Sequence, residues 1–263
     1  MTDSDNLYRS YINTNKFFKK LLYKLHLQYL QPTIHSLIKK GERNDKKMYD
    51  ILQKKVNDEN STVKSKFANY SLYKALSLAK FIKSQNLGHL TSYLDIGTGD
   101  GMNPKIISSE MDIKDSYCVD IEAPEFSFTF SGTCKYQTYD GMHLPYEDNK
   151  FDLITCFMVL HHVEHLNKLL SDIKRVMKNG GFLVIREHDS HKKIEPLLNV
   201  EHDFYTYLVN EHSLTTFGHE FRNFMSYPYL RNLLQSNGFQ LVSKHSKQHN
   251  NIDATYYGVF KRI

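Results

Sequence analysis

The run Leu94-Asp95-Ile96-Gly97-Thr98-Gly99-Asp100-Gly101 constrains this chain more than any other stretch. The β-prone residues Tyr93 and Leu94 lead into three glycines at alternate positions, and Met102 to Glu110 then has helical character. The order reads as strand, tight turn, helix. Glycine is needed where the backbone bends sharply or where a ligand lies against it with no Cβ between. The N–H groups that open the helix then face whatever occupies the turn. The spacing is Gly-x-Gly-x-Gly, which departs from the G-x-G-x-x-G of dinucleotide-binding turns. Asp95, two residues before the first glycine, has no use beside a pyrophosphate but suits a ligand that carries an ammonium group. Taken alone, such a turn is also compatible with a nucleotide or with no ligand, and the rest of the chain decides.

Four more β-prone runs alternate with helical stretches. Ser116 to Asp120 predicts a second strand ending in a carboxylate, which at the end of a parallel strand accepts both hydroxyls of a ribose. Cys134 to Tyr139 predicts a third, closed by Asp140-Gly141, and Phe151 to Phe157 a fourth. A helix is expected to open at Val159-Leu160-His161-His162-Val163, run through Leu169, Leu170, Ile173 and Val176, and stop at Lys178-Asn179-Gly180-Gly181. Phe182 to Ile185 is the fifth strand, with Arg186-Glu187-His188-Asp189 at its ligand-facing end. A helix over Tyr229 to Gln235 precedes two β-prone runs, Gln240 to Ser243 and Thr255 to Phe260, expected as an antiparallel pair at the sheet edge, joined by a polar loop.

With these residues in place, the chain resembles the class I S-adenosylmethionine (SAM)-dependent methyltransferases over roughly residues 90–190. The resemblance rests on the Asp95 to Gly101 motif, on Asp140-Gly141-Met142-His143-Leu144-Pro145-Tyr146 followed by a polar turn and Phe151-Asp152, and on the Leu160-His161-His162-Val163 step. It implies an α/β fold, a Rossmann-like doubly wound seven-stranded sheet, mostly parallel with an antiparallel last strand. It also implies a cofactor set of Asp95, Gly97, Thr98, Gly99, Gly101, Asp120, Ile121, Asp140, Gly141 and Phe157. In that set Asp95 holds the ammonium end, Asp120 the ribose, and Asp140 the adenine amine, from which a carboxylate can accept. The expected reaction is in-line transfer of the methyl of S-adenosyl-L-methionine to an O, N or C nucleophile of a small molecule, leaving S-adenosyl-L-homocysteine. Where the acceptor must lose a proton, the candidates are His161, His162, Glu187 and His188, since histidine suits proton transfer near neutral pH. The plainer roles are a helix cap for the histidines and an ion pair with Arg186 or a lysine for Glu187. A non-catalytic SAM-fold subunit that stabilises a partner is a rival, against which the intact Asp95, Asp120 and Asp140 weigh.

Charge supplies the other rival. Residues 1–90 hold 17 Lys/Arg against 7 Asp/Glu, and the remainder 17 against 22. A basic leading segment suits a polyanion, as in an RNA or RNA-cap methyltransferase, and equally suits solvated helix faces. No Asn/Asp-Pro-Pro-Tyr/Phe closes the fourth strand, and Phe157-Met158 stands where the ribose-methylating enzymes carry their aspartate. The expected organisation is a helical extension over 1–88 and a SAM-binding domain over 89–263, with an aromatic- and histidine-rich insertion at about 190–229. Apolar spacing predicts helices over 17–29, 33–39 and 48–56, and one from Asn60-Ser61-Thr62 to about Ser84 whose inward face is Phe67, Leu72, Leu76, Ala79 and Ile82. Pro196 to Val209 also reads as helical. No run of about 18 apolar residues is present, so no membrane association is expected and a cytoplasmic place is. Cys118, Cys134 and Cys156 are read as reduced thiols. His188-x-x-His191 with Asp189 alone has ligand-like spacing, and no structural metal is expected.

Overall fold

Along β1 (Ser92–Ile96) successive side chains face opposite sides, so Leu94 and Ile96 enter one core and Tyr93 the other. The same alternation recurs in β2 (Asp115–Asp120), β3 (Lys135–Thr138), β4 (Phe151–Phe157) and β5 (Met177–His188). With β6 (Phe239–Ser246) and β7 (Thr255–Arg262) they form one seven-stranded sheet of order β3-β2-β1-β4-β5-β7-β6. β1 to β5 pair in parallel, and β7 runs antiparallel between β5 and β6. The expected fold class is what forms. Described in this computed structural model are residues 6–58, 61–122, 134–210, 212–246 and 255–263, the side chains of 58 and 61–70 excepted. The expected cap at Asn60, the Phe67 side chain and the polar loop after Ser246 lie outside the described residues.

The chain divides into two compact units. The sheet unit takes residues 69–189 and 225–249 with 254–263. One face of its sheet buries Leu94, Ile154, Leu183 and Phe260 against α7 (Leu166–Val176) and α9 (Tyr227–Ser236). α7 presents Leu166, Leu169, Leu170, Ile173 and Val176, a stripe of spacing three and four. The other face buries Tyr93, Leu153, Phe157 and Val184 against α6 (Met102–Met111) and the later turns of α5 (Ser61–Ser84). In α5 the inward residues are Leu78, Ala79 and Ile82, whereas Leu72 and Leu76 are exposed. Their apolar character had marked them for the core, but the helix is turned so that Ala75 and Leu78 take those places.

The second unit gathers residues 1–68 and 190–224 with 250–253. It contains α1 (Asn6–Asn13), α2 (Asn15–Lys24), α3 (Gln31–Lys39), α4 (Asp45–Asp58) and α8 (Glu195–Asp203), which winds on as a π-helical stretch over Phe204–Val209. Phe18, Leu21, Leu22, Tyr49 and Leu52 share a core with Phe204 and Tyr207. The segment after β5 therefore packs with the leading helices. Linear periodicity cannot show that, because the two apolar sets are some 150 residues apart. No helix of the described residues is long and apolar enough to cross a membrane.

Three local readings change. Leu160–His162 is a single 3-10 turn and α7 starts only at Leu166, because Val163 is extended. Lys178 to Gly181 belongs to β5 and does not cap the helix. Cys118 and Cys134 are paired as a disulfide, correcting the reduced thiols read from their spacing. The parallel register sets Tyr117 opposite Lys135, which brings the residues beside them together. Cys156 is free and buried.

At the start of β1 and β4, Asp152 Oδ2 accepts from the N–H groups of Thr91 (3.0 Å) and Ser92 (3.0 Å) and from both their hydroxyls, while Oδ1 takes Lys178 Nζ at 2.9 Å. Burial pushes this carboxyl up, but the bonds from Thr91 and Lys178 outweigh it and hold it below its ordinary value. Such a group stabilises the fold above the ordinary carboxylate range and loses that effect as pH falls through it. Asp152→Ala is expected to cost about 1–2 kcal/mol at pH 7, by taking the acceptor from the buried Ser92 N–H and from the more exposed Thr91 and Lys178 donors. In urea unfolding followed by circular dichroism, its deficit should shrink below pH 4.

Candidate functional site

β1 has β2 on one side and β4 on the other, so the chain leaves the sheet in opposite directions from neighbouring strand ends. That is the point at which an open α/β sheet leaves a crevice. A cavity of about 390 Å³ lies there, walled by Gly97 and Asp120-Ile121, by Tyr139 to Met142, and by Met158, Val159 and His162 to His165.

The glycine turn is pinned to β2. Val119 O accepts from Gly97 N (2.9 Å) and Thr98 N (3.2 Å), and Asp120 Oδ2 accepts from Gly99 N at 2.8 Å. Asp120 Oδ1 takes the N–H of Ile121 at 2.7 Å, so the carboxylate is fixed before any ligand arrives. Gly97, Gly99 and Gly101 all have positive φ. Gly97 is the most constrained, because a Cβ there would stand 2.2 Å from Val159 Cγ2. The two walls of the cavity meet at that contact.

Asp140 is held as firmly. Its Oδ1 accepts from Met142 N (2.8 Å) and His143 N (2.6 Å), and its Oδ2 meets His143 Nδ1 at 2.6 Å. The His143 side-chain bond, then the two backbone bonds, keep this carboxyl well below the usual range. Three of its roughly four acceptor positions are filled, and the fourth is free for one more donor.

Asp95 lies beneath the turn, 2% exposed, and is not part of the cavity wall. Its Oδ1 accepts from Thr155 Oγ1, which in turn meets Tyr93 OH at 2.7 Å. Burial, with Asp120 adding to it against the Thr155 bond, pushes Asp95 up to about 7. Phe157, expected beside the cofactor, is buried in the core against α5 and α6, since its side chain leaves β4 on the side away from the cavity. Met158 and Val159 take the wall in its place. Thr98 is buried, and Ile121 is exposed on the rim.

The four candidate proton acceptors divide. His161, Glu187 and His188 are each no more than 2% exposed, and none lines the cavity. His162 is exposed and does. Val163, quoted in the sequence only as part of the Leu160–Val163 step, completes that wall with Glu164 and His165, which were not singled out. The signal was available, since they follow His162 in the same turn. A family model described as a methyltransferase domain matches residues 37–244.

The chain belongs to that family. Solved structures that share its fold include SAM-dependent methyltransferases. The chain is 37% identical over 78 residues to the ubiquinone/menaquinone biosynthesis C-methyltransferase of Idiomarina loihiensis, covering 30% of each chain. It is 32% identical over 109 residues to a Bos taurus protein described as "probable tRNA methyltransferase 9B", covering 40% of this chain and 23% of that one. The matches thus span less than a third of these relatives. Among solved structures, a SAM-dependent methyltransferase of Thermotoga maritima has a TM-score of 0.53 at 18% identity, covering 82% of this chain and all of that one. A Burkholderia thailandensis 1,6-didemethyltoxoflavin-N1-methyltransferase, solved with its substrate and S-adenosylhomocysteine, has a TM-score of 0.53 at 15% identity, covering 72% and 78%.

Because Asp95 binds its proton more tightly folded (about 7) than unfolded (3.8), its contribution destabilises the fold progressively as pH rises through that window. Asp95→Asn should therefore raise the unfolding free energy by about 2–4 kcal/mol at pH 8 and leave it near the parent value at pH 4. Thermal melts across that pH range check it.

Proposed function

We propose that this chain is a methyltransferase that moves the methyl of SAM to an O, N or C nucleophile of a small molecule. The observation that carries the reading is that Asp120 and Asp140, both pre-oriented by backbone N–H groups, wall one cavity with Gly97. The acceptor set fits the cofactor: Asp120 for a ribose diol, Asp140 for one amine N–H, in a cavity large enough for an adenosine. Bound SAM supplies an activated methyl on a sulfonium, ready for displacement.

The residues of this chain then bind and align. Gly97 lets the ligand lie against the backbone. Ile121 and Val163, on walls supplied by β2 and by the turn after β4, offer apolar surface to the base. Asp95 sits under the turn where its negative charge attracts an ammonium, and a cation above it favours the ionised form. Of the four candidates His162 is the one on the wall and suits taking a proton from an acceptor, because His161, Glu187 and His188 are enclosed. Asp120 and Asp140 with Glu164 give the wall a negative character that complements a sulfonium cation.

The basic segment over 1–90 and the match to that Bos taurus protein support a second reading, in which the acceptor is RNA. Calorimetry with S-adenosylhomocysteine should give micromolar-range binding, weakened at least ~30-fold by Asp120→Ala, which removes the ribose acceptor and the Gly99 tether together. No heat from the parent protein would overturn the cofactor assignment. Retention on immobilised RNA that falls steeply with salt would replace the small-molecule acceptor with RNA.

A further inference from the structure

Glu187 is a buried carboxylate at the end of β5, outside the wall of the cavity described above. Its Oε1 accepts from Val159 N at 3.1 Å and Leu160 N at 2.8 Å, and its Oε2 meets His161 Nδ1 at 2.6 Å. Burial pushes the carboxyl up, but the charge and hydrogen bond of His161, with His188 and the Leu160 N–H adding to them, hold it below its ordinary value. The residue before it takes part as well, because Arg186 O accepts from Met158 N at 2.8 Å. Two consecutive residues of β5 thus gather four consecutive residues, 158 to 161, of the turn that follows β4. That turn is strained. Met158 has φ of +63°, a left-handed conformation that a side chain with a Cβ adopts at a cost and keeps only where its surroundings impose it. The next ring is carried along too, since His162 lies 4.2 Å from His161 between centroids at 44°. Met158, Val159 and His162 are wall residues of the cavity.

We propose that Glu187 is a positioning residue: through its bonds to Val159, Leu160 and His161 it holds the turn after β4 in the shape that forms the second wall of the cofactor cavity. The proposal rests on the SAM reading above for the identity of the ligand. It removes Glu187 from the proton acceptors, because its oxygens already serve three donors and face no ligand space. The strain at Met158 and the contact of Val159 with Gly97 both require the turn to be held from below, and the Glu187 carboxylate bonds directly to its backbone.

The test uses the full chain, calorimetry with S-adenosylhomocysteine, and amide hydrogen exchange read peptide by peptide. In Glu187→Gln one oxygen still accepts from Val159 and Leu160 while the amide donates to His161, so affinity should stay within about fivefold of the parent. Glu187→Ala takes this acceptor from the Val159 and Leu160 amides and from His161 Nδ1 and should weaken binding at least ~30-fold. Exchange should quicken over 158–163 and stay unchanged over the glycine turn. The proposal is overturned if the folded alanine variant binds within about threefold of the parent, or if the glutamine variant loses as much as alanine, which would point to a need for the charge itself. Should the alanine variant fail to fold, the glutamine variant decides: retained affinity with retained protection at Leu160 supports the brace, and retained affinity with lost protection overturns it. If the parent protein binds no S-adenosylhomocysteine, the cofactor reading fails separately, and local exchange over 158–163 in the alanine variant still reads the brace, supporting it if quickened and overturning it if unchanged.

Discussion

The end of β2 takes three N–H groups from the glycine turn, two on the Val119 carbonyl and one on the Asp120 carboxylate. Everything around the cavity depends on that attachment. A turn with three left-handed glycines has little conformational preference of its own, so without a partner it would sample many shapes. Bonded to β2 it becomes an extension of the sheet, and α6 starts from a fixed point. The same carboxylate that fixes the turn faces the cavity, so the frame and the binding group are one residue.

The opposite wall is built on the same plan by different atoms. Its turn hangs from β5 through Glu187 and Arg186 as the first hangs from β2. The walls touch where Val159 fills the place a side chain at position 97 would need. Each wall is therefore secured to the sheet independently and both are aligned by one close contact. That arrangement explains why strand order matters: β1 with β2 and β4 on its two sides is what brings the hanging points together.

Much of this was legible in the sequence, for identifiable reasons. Strands β1, β2 and β4 announce themselves because strands of a buried parallel sheet are rich in β-prone apolar residues. Asp120 was legible because it closes β2, Asp95 because it stands two residues before the first glycine of the turn, and Asp140 because it lies just beyond β3. What could not be read was direction and partnership. Phe157 and Met158 look equally suited to a cavity, and only the pleat, with the left-handed turn at Met158, sends one into the core and the other to the wall. The four polar residues near the ends of β4 and β5 look alike in sequence, but burial separates His162 from His161, Glu187 and His188. The pairing of Cys118 with Cys134 depends on register, which spacing does not encode.

The backbone anchoring of Asp120 and Asp140 also has a thermodynamic side. Carboxylates already held by N–H groups keep few rotamers in the free protein, so a ligand that binds them orders little that was loose. Association in such a cavity is governed by desolvation and by the charges already in place, with small conformational change between free and bound states. Its heat-capacity change should then reflect the apolar surface of Ile121 and Val163 covered by the ligand, and little beyond it.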